Sequence, residues 1–248
     1  MSSSIVWANY KNLQICDIHD KQRPLVKDYI LKHFLSNELH QILGYHENME
    51  FQEDLQRILQ HLLENDSSIM VWDKENDEIR GIALMKCMLE KWYSWTALKV
   101  LIRNSNLEEL IDLSRNSLKN MASEMNGRLD SLHIFYYFLE SDLCEDFCFI
   151  VKFFQAICLV AQHMHMPRIT YMALGSKEGQ LFEENGFQEI QRLLYSMYVY
   201  RGRRPFDHFR DLNEMYGCLY EKKLQNLKPF RELQIRHGEN KEKEVKEK

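Results

Sequence analysis

The 248 residues carry 45% hydrophobic and 28% charged side chains, a balance that excludes disorder over most of the chain and supplies apolar material for one sizeable core. The formal net charge of -5 gives no general basic field for a polyanion, which argues against a nucleic-acid partner. Residues 1–9 have no basic segment before an apolar core, so a cytoplasmic protein is expected. The longest apolar run, 147–161, is shorter than the ~20 residues that span a bilayer, so no membrane insertion is expected.

Residues 13–18 alternate apolar and polar side chains, which predicts a half-buried strand. Asp20 and Pro24 then supply helix-start chemistry, and Leu25, Val26, Tyr29, Ile30, His33 and Phe34 share one helical face. Asn48 can cap a second helix, with Glu50, Glu53 and Asp54 near its positive end and a stripe running from Phe51 to Leu63. Residues 68–72 and 79–85 read as an antiparallel hairpin around a polar connection. Leu107, Leu110, Ile111, Ser114, Leu118, Met121 and Met125 keep helical spacing until Asn126 and Gly127, and 132–139 is an aromatic-rich central strand.

The run 147–161 is apolar on both sides, which predicts a helix covered over most of its surface until Pro167 stops it. A strand over 168–173, a short helix over 178–184 closed by Asn185 and Gly186, and a last strand over 193–200 follow. Residues 1–235 read as a single domain, and 236–248 as a charged disordered tail. The six scattered cysteines read as reduced thiols, and no metal site is expected. A basic cluster, Arg201, Arg203, Arg204, Arg210, Lys222 and Lys223, is diluted by Asp207, Asp211, Glu214 and Glu221, so it makes no nucleic-acid face.

Three segments carry a resemblance. LFEENGF at 181–187 is similar to the "lyeklGF" signature of the GNAT superfamily, in which a Gly of positive φ ends a helix and an aromatic enters the next strand. KHFLSNELHQILG at 32–44 resembles the "F-F-x-D-E-P-L-N" segment of the insect arylalkylamine N-acetyltransferases, and YSMYVYRGRRPF at 195–206 resembles their "Y-x-D-Y" ending. The likeness runs in order over residues 10–225. It implies the GNAT acyl-CoA N-acyltransferase fold, α/β (α+β), with a mixed twisted sheet and helices on both faces, and the order of elements predicts that the sheet is splayed near Leu139. It also implies acetyl transfer from acetyl-CoA to an arylalkylamine or related small amine. Glu38 then matches the family's base, while Phe138, Leu139, Glu140, Cys148 and Phe149 fall against the cofactor.

The sequence departs from the family at several of these positions. Asn37 stands where the family has Asp, and the proline after the glutamate is missing. The superfamily's pyrophosphate loop, R/Q-x-x-G-x-G/A, is replaced by 140–148, ESDLCEDFC, which has no Arg, Lys or Gly and brings Glu145 and Asp146 toward the phosphates. Leu174 and Glu178 fall where the family has serines, with Ser176 out of phase, and Phe182 replaces a tyrosine that in many relatives protonates the leaving thiolate. Trp92, Tyr93 and Trp95 offer an aromatic wall for an amine. The eroded loop favours an alternative, a catalytically degraded GNAT-fold protein acting as a binding or interaction module.

Overall fold

The computed structural model describes residues 5–64, 67–89, 93–124 and 130–224, without side chains for 93, 119–124 and 210–212. The Lys/Glu tail, Trp92, Met125, Asn126 and Gly127 lie outside the described residues.

Eight strands form one mixed sheet in the order β1-β2-β3-β4-β5-β6-β8-β7. They are β1 (Val6–Tyr10), β2 (Leu13–Asp17), β3 (Ile69–Asp73), β4 (Glu78–Met88), β5 (Ser131–Leu139), β6 (Arg168–Ala173), β7 (Gln188–Leu194) and β8 (Tyr216–Lys223). Only β5 and β6 run parallel; the other neighbours are antiparallel. Their connection is α6 (Ser141–Glu145) followed by α7 (Phe147–His163), the long crossover that a parallel pair requires.

Alternate residues of the central strands serve opposite cores. Ile82 and Leu84 face one cluster with Val26, Ile30 and Phe34 of α1 (Arg23–Ser36) and with the stripe of α3 (Met49–Leu63). Ala83 and Met85 face the other, built on Phe149, Phe153 and Ile157 of α7 and on Phe182 of α8 (Ser176–Glu184). Strands buried on both faces read as continuous apolar runs, which is why β4 and β5 are legible in the sequence. Two further helices, α4 (Tyr93–Val100) and α5 (Ser105–Glu124), cover the first core through Trp95, Leu98, Leu107 and Ile111. A Cβ at Gly81 would lie 2.5 Å from Leu139 Cδ2 and 3.0 Å from the Phe138 carbonyl oxygen, so any larger residue would force the β4–β5 contact to shift. No helix among the described residues is long and apolar enough to cross a membrane. All six cysteines are free.

The sheet forks. The β5–β6 register holds only from Leu132↔Ile169 to Ile134↔Tyr171. Past that point β5 stays with β4 as far as Leu139↔Gly81, whereas Met172 and Ala173 of β6 stay with Leu219 and Cys218 of β8. Two well-paired strands are drawn to opposite sides, which leaves the β6-facing edge of 135–139 without a strand partner. This fork positions the site.

Four expectations need correction. The strand read at 193–200 is β7, which begins at Gln188 and ends at Leu194; a 3₁₀ turn over Tyr195–Met197 follows. It is not the last strand, since β8 follows it in the chain and separates it from β6. The sheet also begins one strand earlier than read, with β1, whose side chains are all at least partly exposed. Finally, Phe147 and Leu159 are exposed, so α7 buries one broad face and leaves the other in solvent.

Candidate active site

The fork opens into a cavity of about 240 Å³. Its apolar wall comes from Phe34 of α1, Leu55, Ile58, Leu59 and Leu62 of α3, Leu107, Leu110 and Ile111 of α5, and Phe135 and Phe138 of β5. Tyr136 and Tyr137 are consecutive on a strand and so point to opposite faces, yet both line it. Tyr136 packs with the α1/α3 core and Tyr137 with the α7/α8 core. The cavity therefore passes through the sheet at the fork and reaches both faces.

Few polar groups converge on it. The His40 ring, in α2 (Glu38–Ile42), lies with Nδ1 2.7 Å from the Phe34 carbonyl oxygen and is stacked on the Phe34 ring at 3.8 Å. Burial lowers its pKa to about 4, so it is neutral at physiological pH, with Nδ1–H as the donor to that carbonyl. Glu178 is the third residue of α8 after the cap Gly175, and its Oε2 accepts the Leu174 N–H at 3.0 Å. Burial raises the Glu178 pKa against the opposing pull of the Leu174 and Gly175 amides and the Tyr171 hydroxyl. Tyr136 and Tyr137 are likewise pushed up by burial and by the nearby Glu178 charge. Neither hydroxyl is hydrogen-bonded among the described residues.

Beyond the end of β5, the starts of α6 and α7 are engaged by the chain's own charges. Arg80 donates through Nε to Glu140 Oε2 at 2.5 Å and through Nη2 to Asp142 at 2.8 Å, while the Glu140 N–H donates to the Arg80 carbonyl. Asp146 caps α7 by accepting the Phe149 N–H at 3.2 Å, and it also accepts from the Tyr10 hydroxyl at 2.8 Å and Lys11 Nζ at 3.0 Å. The Lys11 and Tyr10 hydrogen bonds hold its carboxyl below the usual range. A carboxylate from the chain itself thus sits at the helix N-terminus, where the dipole and free amides would otherwise favour a bound anion.

The residues singled out from the sequence fall in different places. Phe138 and Leu139 line the cavity. Glu140 is held in the Arg80 pair, Cys148 is exposed in the first turn of α7, and the Phe149 side chain lies in the core with its amide taken by Asp146. Glu38 is exposed at the start of α2, next to Asn37, which caps that helix and lines the cavity. Trp95 packs on His133 and Phe135 in the core, outside the cavity lining, and Trp92 is outside the described residues. Phe182 stacks on Tyr171 with ring centroids 4.2 Å apart. Tyr136, Tyr137, Tyr171 and His40 are site residues that the sequence reading missed, since an aromatic strand offers no sign of which hydroxyls will meet a fork.

No protein-family model matches the sequence, and no curated protein matches it. Solved structures do. A protein of the yellow fever mosquito Aedes aegypti put forward as arylalkylamine N-acetyltransferase 7 aligns over 89% of this chain and 95% of its own, with a TM-score of 0.71 at 13% identity. Arylalkylamine N-acetyltransferase 2 of Aedes aegypti covers 86% of this chain and 99% of its own, with a TM-score of 0.69 at 16% identity. The C-terminal condensation domain of Ebony, solved with β-alanyl-dopamine, covers 86% and 99%, with a TM-score of 0.62 at 18% identity. At these identities the likeness establishes the fold.

Proposed function

On the GNAT fold that the chain shares with these proteins, we propose that it is an N-acyltransferase that passes an acetyl group from acetyl-CoA to a small amine with an apolar or aromatic body. The observation that carries this reading is the cavity that crosses the sheet at the β5–β6 fork, because acyl transfer needs donor and acceptor to meet from two sides in a site shielded from bulk water. The unpaired edge of β5 over 135–139 fits the amide-bearing arm of a thioester donor, which can pair with it as a short strand would. The loop after β5 does not fit the nucleotide diphosphate equally well. Asp142, Glu145 and Asp146 surround the place a diphosphate needs, and the nearest cations, Arg80 and Lys11, are already paired with them.

Within this reading the acceptor amine arrives protonated and must lose its proton before attack on the thioester carbonyl. Glu38, exposed one residue from the cavity-lining Asn37, is the base we assign to that step, working from the rim. Phe182 has no proton to give the departing thiolate, and the Tyr171 ring stacked on it carries the nearby hydroxyl. The alternative, a binding module without transfer, is favoured by one observation, the Asp146 carboxylate lodged on the α7 N-terminus. Incubation of the purified chain with acetyl-CoA and a panel of arylalkylamines, read by mass spectrometry, decides between them. An N-acetyl product supports the transferase, and its absence across the panel supports the binding module.

A further inference from the structure

The cavity lining is apolar apart from a few groups, and those groups are mismatched to an apolar occupant. Glu178 brings the one carboxyl among the residues that line it, and Tyr136 and Tyr137 bring hydroxyls with no hydrogen-bond partner among the described residues. Part of the role of Glu178 is internal. As the third residue of α8 it reaches back to the amides of Leu174 and Gly175, as acidic residues at that position do in helix caps. With the Tyr171 hydroxyl, which bonds the same carboxylate, this still leaves a position open, since two oxygens offer about four acceptor positions. A Gln would cap the helix as well, and would spare the fold a charge in an apolar wall.

We propose that Glu178 receives the cationic head of the acceptor, so that the cavity selects a primary ammonium over an isosteric neutral group, with the Tyr136 and Tyr137 hydroxyls completing its hydrogen bonds. This rests on the cavity being the acceptor chamber. An ammonium has three donors, and Glu178 with the Tyr136 and Tyr137 hydroxyls supplies acceptors among the residues that line the cavity. Phe34, Leu59, Ile111 and Phe135, in the same lining, suit an apolar or aromatic body. Glu178 is therefore an acceptor-binding and specificity residue, and the nitrogen it holds still loses its proton to Glu38 before attack.

The test is binding, with tryptamine and its alcohol counterpart tryptophol as probes in isothermal titration calorimetry on the whole chain. The wild type should bind tryptamine at least tenfold more tightly than tryptophol. Glu178→Gln should bind both equally, with tryptophol affinity kept within threefold of the wild type. A Glu178→Gln protein that keeps the tenfold preference overturns the proposal. So does a wild type that does not discriminate, a result that needs no variant to fold. The outcome is separable from that of the transfer assay. Tryptamine preference without N-acetyl product defeats the transferase reading alone, and product formation with an undiminished preference in Glu178→Gln defeats this proposal alone.

Discussion

The Tyr10 hydroxyl donates to Asp146 at 2.8 Å across 136 residues of chain, tying the first strand of the sheet to the cap of the helix that follows the fork. Lys11 joins the same carboxylate, so the loop that would meet a nucleotide diphosphate is satisfied from within.

Freeing that cation should restore donor affinity. Asp146→Asn keeps a capping side chain and a partner for Tyr10 while releasing Lys11. Acetyl-CoA should bind at least tenfold more tightly than to the wild type, about 1.4 kcal/mol, with the gain shrinking at high salt. Calorimetric titration at low and high ionic strength checks this, and an unchanged affinity would mean that the loop does not limit binding.

Glu178 should leave a signature in stability against pH. Its folded-state pKa is raised above the ordinary 4.5, so the folded state holds its proton more tightly than the unfolded chain does. The stability this contributes is fully present below the unfolded value and is lost as pH rises through the folded one. Tyr136, Tyr137, Tyr171 and Glu214 face the same carboxyl and remain unaltered in a Glu178→Gln variant. Melting temperatures recorded from acid to neutral pH should therefore show the variant gaining on the wild type as pH rises. Parallel curves would show that the carboxyl titrates at its ordinary value.

Stability on the α3 side should depend on Asp54. It is 0% exposed, accepts the Arg103 and Asn104 amides at 2.5 and 2.6 Å, and pairs with Arg57, which fixes the approach to α5. Asp54→Ala strands these donors and should cost about 3 kcal/mol in urea denaturation. A loss below about 1 kcal/mol would assign the anchoring to packing alone.

The rate should depend on Glu38 and the fold should not. Glu38→Gln is expected to lower the acetylation rate by about 10² or more, with the melting temperature nearly unchanged because the side chain is exposed. An undiminished rate would move the base elsewhere.

Elements with strong periodicity were legible in the sequence, because burial imposes the pattern that reading detects. The strand at Arg168–Ala173, the helix over Phe147–His163 and the Gly186 stop, with φ at 80°, follow from it. The reading failed where burial is weak. β7 carries no buried residue and β1 none either, so neither shows a core-facing alternation. Phe138 and Leu139, read as a strand end against the cofactor, line the cavity. The splay of the sheet near Leu139 was expected from the order of elements, but the side chains that line the cavity there were not readable, because they depend on β6 following β8 away from β5, a long-range pairing that leaves no local trace. Glu178 was visible only as a mismatch with a family serine, and its approach to Tyr136, Tyr137 and Tyr171 comes from the fork.

If transfer takes place in the cavity at the fork, plugging the cavity should abolish it. Ser114 lines the cavity from α5 and is only partly buried, so Ser114→Phe can fill space there without disturbing either core. With acetyl-CoA and tryptamine supplied in excess, the wild type should form N-acetyltryptamine. Ser114→Phe should lose most of that rate while melting within a few degrees of the wild type. A plugged protein that acetylates at the wild-type rate, or a wild type that forms no product, would contradict the account.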